Sequence, residues 1–328
     1  MLFLNRFTTS MLAFTIRKLL YSILIIFGVM SVIFLVMNLL PDPARMMQGQ
    51  RADLTTQAAI RHELGLDLPA WQRYLEFMRK AATGDLGRSF SSNRPVLDSI
   101  MERLPATAIL TISAMFIATI LGIAIGILSA IKSYSIWDNL SMIFALVGIS
   151  VPSFVSGLLL IIALGAWLQV FPISGYVIQD SSAWYQVWNY HWEYLMLPMI
   201  TLALRPISII ARVTRSSMLD VLSSDYVRTA KAKGLSANKV IFRHALRNAL
   251  NPVVTTISSW LAALLTGAFF IEYIFNWPGI GLLAFDAIPR SDFPTIQGTV
   301  FFAAVVFVVV NFLVDILYAK LDPKVKLN

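Results

Sequence analysis

Six stretches of the chain are apolar over lengths that suit a lipid bilayer. A helix needs about 20 apolar residues to cross the hydrocarbon core. Residues 19–40, 106–131, 140–170, 252–271 and 293–314 each run without a charge. A sixth stretch, 194–218, is apolar apart from Arg205, Arg212 and Arg215. The longest, 140–170, contains Ser150-Val151-Pro152-Ser153, where proline predicts a kink. Its halves are too short to span comfortably, so the pattern predicts one bent span and six spans in all. Gly122 and Gly126 form G-x-x-x-G, which permits close backbone approach and is read as one helix contact inside the bundle rather than a dimer seam. Asn38 and Asn311 are read as interhelical hydrogen-bonding groups.

Two polar segments interrupt the apolar pattern. In the first, 41–104, Asp53 or Thr55 can cap a short helix reaching His62. Pro69 suits a first helical turn, Trp71, Tyr74, Leu75 and Met78 recur at helical spacing, and Gly84 ends the run. This loop is a cap over the transmembrane bundle, a docking surface for an external partner, or both. In the second segment, 216–252, Asp225 can cap a short helix over 226–233, and Gly234 is a helix-stop residue. Ser236 can cap a second helix ending before Pro252, with Lys239, Arg243 and Arg247 on one face. Charge alone suits an anchor on anionic lipid. The short helix and the glycine break suit a lever that contacts a protein.

Composition agrees with the spans. Of 328 residues, 57% are hydrophobic and 13% charged, and mean hydropathy is +0.71. Disordered chains, coiled coils and ordinary soluble domains carry more charge. With no cysteine, disulfides, thiol nucleophiles and Cys-ligated metals are excluded. The net charge of +8 matters through its distribution. Arg6, Arg17, Lys18, Lys132, eight residues from Arg212 to Arg247, and Lys320, Lys324 and Lys326 put 15 basic residues on one side against four acidic ones. The other side holds ten basic and 12 acidic residues. The positive side is expected to be cytoplasmic, with both termini inside a plasma (inner) membrane.

Catalytic patterns are lacking. There is no G-x-x-x-x-G-K-[ST], no G-x-S-x-G and no H-E-x-x-H, and His62, His191 and His244 are scattered. No metal site is expected. Composition and motif absence alone leave a transporter, channel or scaffold.

The second polar segment carries more. Asp225-Tyr226-Val227-Arg228-Thr229-Ala230-Lys231-Ala232-Lys233-Gly234-Leu235, followed by His244-Ala245-Leu246-Arg247-Asn248-Ala249, resembles the cytoplasmic loop of type I ABC importer permeases, and more narrowly the first-subunit branch of the dipeptide/oligopeptide/nickel family. Leu39-Leu40-Pro41-Asp42-Pro43, Leu64-Gly65-Leu66-Asp67, Gly84-Asp85-Leu86-Gly87-Arg88-Ser89, Glu102-Arg103-Leu104-Pro105-Ala106-Thr107, Ser150-Val151-Pro152-Ser153-Phe154, Trp277-Pro278-Gly279-Ile280-Gly281 and Leu321-Asp322-Pro323 resemble that branch in the same order. The general permease signature is E-A-A, three residues, then G. Arg228 and Thr229 replace its first two positions, while Ala230 and Gly234 remain.

The resemblance implies an all-α integral membrane protein of six transmembrane helices, one N-terminal helix plus a five-helix type I importer core. It implies 1–105 as the first helix and external loop, 106–319 as the permease domain with coupling loop 216–251, and 320–328 as a cytoplasmic tail. It implies a transport subunit, not an enzyme, for dipeptides or oligopeptides; the alternative is the same fold importing nickel chelates, glutathione or another small solute. Partners would be a second permease, two ATPase subunits holding ATP and magnesium, and an extracytoplasmic binding protein. Membrane lipid is expected around the chain, with no nucleic acid and no cofactor on it. Asp225 through Leu235 would form the coupling helix, with Lys231 and Lys233 meeting acidic groups or simply solvated. Arg205, Glu272, Asn311 and Asp315 are pathway candidates, and Trp277, Pro278 and Gly279 an outer gate. Arg205 either attracts a cargo carboxylate or pairs with Asp315 or Glu272.

Overall fold

The structure, a computed structural model, describes residues 2–39, 67–174 and 192–321. The helix expected to reach His62, and the motif residues 40–43, 64–66 and 322–323, lie outside the described residues. In chain order the helices are α1 (Leu2–Leu39), α2 (Ala70–Ala82), α3 (Val96–Ile131), α4 (Ile136–Ser150) and α5 (Ser153–Leu160). A π-helical segment, Ile161–Trp167, prolongs α5. Then come α6 (Trp192–Leu222) and α7 (Asp225–Ala232). A second π-helical segment, Lys239–Ala245, leads into α8 (Leu246–Gly267). Helices α9 (Phe269–Ile274), α10 (Ile280–Ala287) and α11 (Phe293–Leu321) complete the chain. No strand occurs among the described residues.

Among the described residues four helices are long and apolar enough to cross a membrane: Phe14–Val36 within α1, all of α3, all of α6, and Phe293–Ile316 within α11. Together α4 and α5 make a fifth candidate, bent by 110°. The predicted kink is therefore a corner. Proline pushes the preceding residue out of the helical region, and Val151 is extended at φ −81°, ψ 127°. The predicted span 252–271 is not among these helices. Its counterpart α8 starts earlier, ends at Gly267, and carries Asn248, Asn251, Thr255, Thr256, Ser258 and Ser259, which dilute its hydropathy. The count of six is thus not reached by length and hydropathy.

The chain forms two compact units, 1–107 with 278–328, and 108–277. In the first, α11 packs on α1 and α10 on α11. The predicted amphipathic helix is α2, with Pro69 before it and Gly84, at φ +79°, after it. Its Tyr74 ring meets Phe27 and Phe34 edge-on, and the Tyr74 hydroxyl shares a 2.7 Å hydrogen bond with Ser31. Asn38 accepts from Arg73, so that bond joins α1 to α2 rather than to another span. Asn311 instead donates to the Phe307 carbonyl within its own helix at 2.8 Å.

In the second unit α6 is the central helix. Three other helices meet it through glycines. A Cβ on Gly122 would lie 2.7 Å from Ile210 Cγ2, and one on Gly126 would lie 2.5 Å from Thr214 Cβ. The G-x-x-x-G pair is therefore an internal seam between α3 and α6. Gly148 of α4 abuts Ser208, and Gly157 of α5 abuts Thr201. Small residues allow this approach where lipid offers no hydrophobic drive. On the remaining side, α8 packs against α6.

Candidate functional site

Helix α7 follows α6 after two residues. Ser224, not Asp225, occupies the N-cap position, and no side chain caps the helix. Asp225 is the first helical residue, where a carboxylate complements the helix dipole, and it faces Arg228 at 3.6 Å. The far end closes as a Schellman motif. Gly234, at φ +77°, donates to the Lys231 carbonyl at 3.0 Å, and Leu235 donates to the Ala230 carbonyl at 3.4 Å.

Only two side chains of α7 are buried. Val227 and Ala230 form a cluster with Val240, against Val221 and Leu222 at the end of α6. Every other residue of the predicted coupling set is exposed: Asp225, Tyr226, Arg228, Thr229, Lys231, Ala232, Lys233, Gly234 and Leu235. The Tyr226 hydroxyl accepts from Asn248 at 2.8 Å, fastening α7 to the start of α8. A second cluster, Ala130, Met218, Ala245 and Ala249, also packs on Val221 and Leu222. Through these shared side chains α7 rests on the ends of α3 and α6 and on the foot of α8.

The segment after Gly234 departs from its prediction. The helix expected to end before Pro252 runs through it. Proline costs α8 the hydrogen bond from its own nitrogen, but the ladder continues beyond it and Thr256 Oγ1 donates back to the Pro252 carbonyl at 2.9 Å. Upstream, the π-helical turn absorbs one extra residue. Buried Val240, Ala245 and Ala249 are spaced five and then four apart. Lys239, Arg243 and Arg247 are all exposed.

The pathway candidates separate. Asp315 pairs with Lys18 of α1 at 2.7 Å, so the expected Arg205–Asp315 pair does not form. Arg205 is exposed and lies over the Trp260 ring of α8, 5.8 Å from its centroid. Glu272 is fully buried on α9, and its backbone carbonyl accepts from the Trp277 amide at 2.7 Å. Of the gate candidates, Trp277 is buried at the end of the second unit, while Pro278 and Gly279 are buried at the return of the first. There the Ile280 amide, an orphan donor at the start of α10, is satisfied by the Thr107 hydroxyl at 2.9 Å.

Two polar centres escaped the sequence reading. Asp138 is buried and accepts two bonds from Arg215, at 2.6 and 2.7 Å. It accepts others from Ser129 and from the Tyr134 amide. The available signal was Ser135-x-x-Asp138, a capping pattern, together with an intramembrane arginine that needs a partner. Asp292 is the second. It accepts from the hydroxyls of Ser89, Ser91 and Thr295 and from the Phe90 amide. Burial pushes its pKa up, but these four bonds outweigh that and hold it below the ordinary carboxylate value. Its position just before α11, three residues ahead of Thr295, was the legible hint.

An all-helical chain with several membrane-crossing helices and a capped helix projecting between two of them defines a polytopic transport component. Residues 122–327 match the family described as binding-protein-dependent transport system inner membrane component, and 11–111 match its N-terminal counterpart. The chain is 42% identical to the dipeptide transport system permease protein DppB of Alkalihalophilus pseudofirmus, over 96% of this chain and all of that one. It is 39% identical to DppB of Escherichia coli, covering 96% and 99% of the two chains. It is also 39% identical to the glutathione transport system permease protein GsiC of E. coli, with the same coverage. In fold it is similar to a chain of the MetNI methionine ABC transporter in inward-facing conformations, with a TM-score of 0.53 at 15% identity, over 68% of this chain and 96% of that one. This chain belongs to the binding-protein-dependent transport system inner membrane component family. It is a multi-pass membrane permease component of type I importer fold, and its family is one of transport proteins rather than enzymes.

Proposed function

We propose that this chain is one of two permease halves of an ATP-driven importer whose cargo is a dipeptide or oligopeptide. An extracytoplasmic binding protein delivers the cargo, and two partner ATPases hold ATP and magnesium. Both termini and α7 lie on the cytoplasmic side, as the excess of basic residues there supports. The dipeptide permeases among its relatives support the peptide cargo, and the glutathione permease keeps a second small peptide in view.

The observation that carries the reading is the way α7 is held. Val227 and Ala230 anchor it to the ends of the spans, while Tyr226, Arg228, Thr229, Lys231, Lys233 and Leu235 are left outward for a groove on an ATPase. Closure of the ATPase pair pushes α7 as a rigid body. The clusters around Val221 and Leu222 pass that displacement to α3, α6 and α8. The spans then exchange between inward and outward access, a two-state equilibrium biased by nucleotide.

The chain has no cysteine, so a single introduced thiol has no background. Arg228→Cys in the importer purified from its native membrane should crosslink to a P-loop ATPase through a short bifunctional reagent. A Phe116→Cys control, exposed on α3, should not. Purification of a folded chain with no ATPase, or equal crosslinking at both positions, overturns the coupling assignment.

A further inference from the structure

The outward surface of the second unit carries two arginines that no acid among the described residues pairs with. Arg205 and Arg212 are both exposed on α6. They are seven residues apart, hence on one face, with about 10 Å between their levels. Among the described residues neither takes part in an ion pair. Buried Asp138 of the same unit is committed to Arg215.

Each arginine sits in a formed environment. The Arg205 guanidinium lies over the indole of Trp260. A cation held by a ring face spends no N–H donor on a hydrogen-bond acceptor there. Arg212 lines a cavity of about 470 Å³ with Asn139, Met142, Ile143, Ala145 and Leu146. Beside Trp260 on α8, Asn248, Asn251, Thr255 and Ser259 are exposed in a line spaced three, four and four residues apart. This makes a polar stripe on α8 that accompanies the two exposed arginines of α6.

Lipid does not suit this surface. Arg205 lies 13 residues from one end of α6 and 17 from the other, roughly 20 and 25 Å along the axis. That depth separates it from the headgroups, where a long cationic side chain would otherwise escape. A charge at such a level faces water or a counter-charge. A guanidinium edge offers two parallel donors, the geometry that a carboxylate accepts.

We propose that this face is a track for carboxylate-bearing cargo, with Arg205 on its Trp260 platform and Arg212 in its groove as two successive binding stations. The proposal rests on the importer reading and names the part of the cargo that the permease itself recognises. A carboxylate passes between stations two helical turns apart while the polar stripe of α8 keeps the surface wet.

Two measurements test it. In the intact importer reconstituted into vesicles, Arg205→Gln and Arg212→Gln should each lower ATP-driven uptake of a dipeptide with a free C-terminal carboxylate by about tenfold, the worth of a charged hydrogen bond. Uptake of the C-terminal amide of the same dipeptide should change less than about twofold. Equal losses for both peptides, or no loss for either, overturn the track. The second measurement needs no cargo. Ile143→Cys, exposed beside Arg212, should react several-fold faster with an anionic than with a cationic methanethiosulfonate, and adding Arg212→Gln should abolish that preference. A thiol that reacts with neither reagent means this face is covered by the second permease, and a lack of preference means no attracting field; either overturns the track. An intact anionic preference in an importer that takes up no peptide of any kind leaves the track standing and overturns the peptide reading alone.

Discussion

The hydroxyl of Ser89 donates to the carboxylate of Asp292 at 2.5 Å, across 203 positions of sequence. The contact ties the segment between α2 and α3 to the start of α11, and three further bonds converge on the same carboxylate. Because those bonds hold the Asp292 pKa below its ordinary value, the folded carboxylate keeps its charge where the unfolded one takes up a proton. An unfolded aspartate protonates at about pH 3.9. The stabilisation is therefore complete above about pH 4 and is lost as pH falls through the lower folded value. Asp292→Asn should cost about 2 kcal/mol, as a hydrogen-bonded charge does. Hydrogen exchange at the Phe90 amide, corrected for intrinsic rate, should be slow and flat from pH 8 to 5 and should speed up in stronger acid. In the Asn variant it should already be fast at pH 7. A variant as protected as the parent chain would show that the charge is immaterial to the clasp.

The seam between α3 and α6 makes a second prediction with its own control. Gly126→Ala puts a methyl group 2.5 Å from Thr214 Cβ and 2.6 Å from the Ala211 carbonyl oxygen. The helices must part, at about 1–3 kcal/mol for overpacking. Gly28→Ala on α1 meets nothing within 4 Å and should be neutral or stabilising by up to roughly 1 kcal/mol. Thermal midpoints in detergent should therefore move in opposite directions. Equal shifts would mean that helix propensity, not the seam, governs both sites.

The residues explain which parts of this protein were legible beforehand. Apolar length exposed α1, α3, α6 and α11, because a bilayer demands continuous runs. Helical spacing from Trp71 to Met78 exposed α2, and Gly234 marked the end of α7 because only its φ of +77° lets the chain turn there. The 110° corner at Pro152 was underestimated, since a proline announces a break and not an angle. The continuation of α8 through Pro252 was missed because a proline reads as a helix stop, although it removes only the hydrogen bond from its own nitrogen. Asp138 and Asp292 left only local hints, because the donors that complete each site come from distant positions: Arg215 for Asp138, and Ser89, Phe90 and Ser91 for Asp292. For the same reason Asp315 found Lys18, a residue that no spacing rule links to it.

Gly234 separates backbone strain from packing. A Cβ there would meet nothing within 4 Å, so substitution acts only through the positive φ. Gly234→Ala should weaken the end of α7 by roughly 1–2 kcal/mol. Gly234→Asn should retain most of the motif, because asparagine tolerates the left-handed region. Exchange at the Leu235 amide reports the motif directly. If α7 is the coupling element, ATP-driven uptake in the assembled importer should follow the same order, with Asn above Ala. Identical uptake in Gly, Asn and Ala chains, despite different exchange, would uncouple this helix end from transport.

Half-buried Arg215 and buried Asp138 form a charge pair close to the α7 platform, since Arg215 lies one turn before Met218 of the cluster that packs on Val221 and Leu222. Removing one partner of a buried pair strands the other charge, at about 3–5 kcal/mol, whereas replacing both with apolar groups of similar size is often close to neutral. Asp138→Asn and Arg215→Met should each sharply reduce the folded fraction extracted in detergent. The double variant Asp138→Leu/Arg215→Met should recover much of the loss in a thermal melt. The recovered double variant then asks a question the single variants cannot. Asp138 sits in the first turn of α4, and Arg215 in the last third of α6, so their two bonds fix α4 against the helix on which α7 rests. An apolar pair fills the volume without directional bonds, so α4 should follow α6 less faithfully. Uptake per ATP hydrolysed should fall in the double variant even where its melting temperature is restored. Full stability with unchanged uptake per ATP would assign the pair to folding alone.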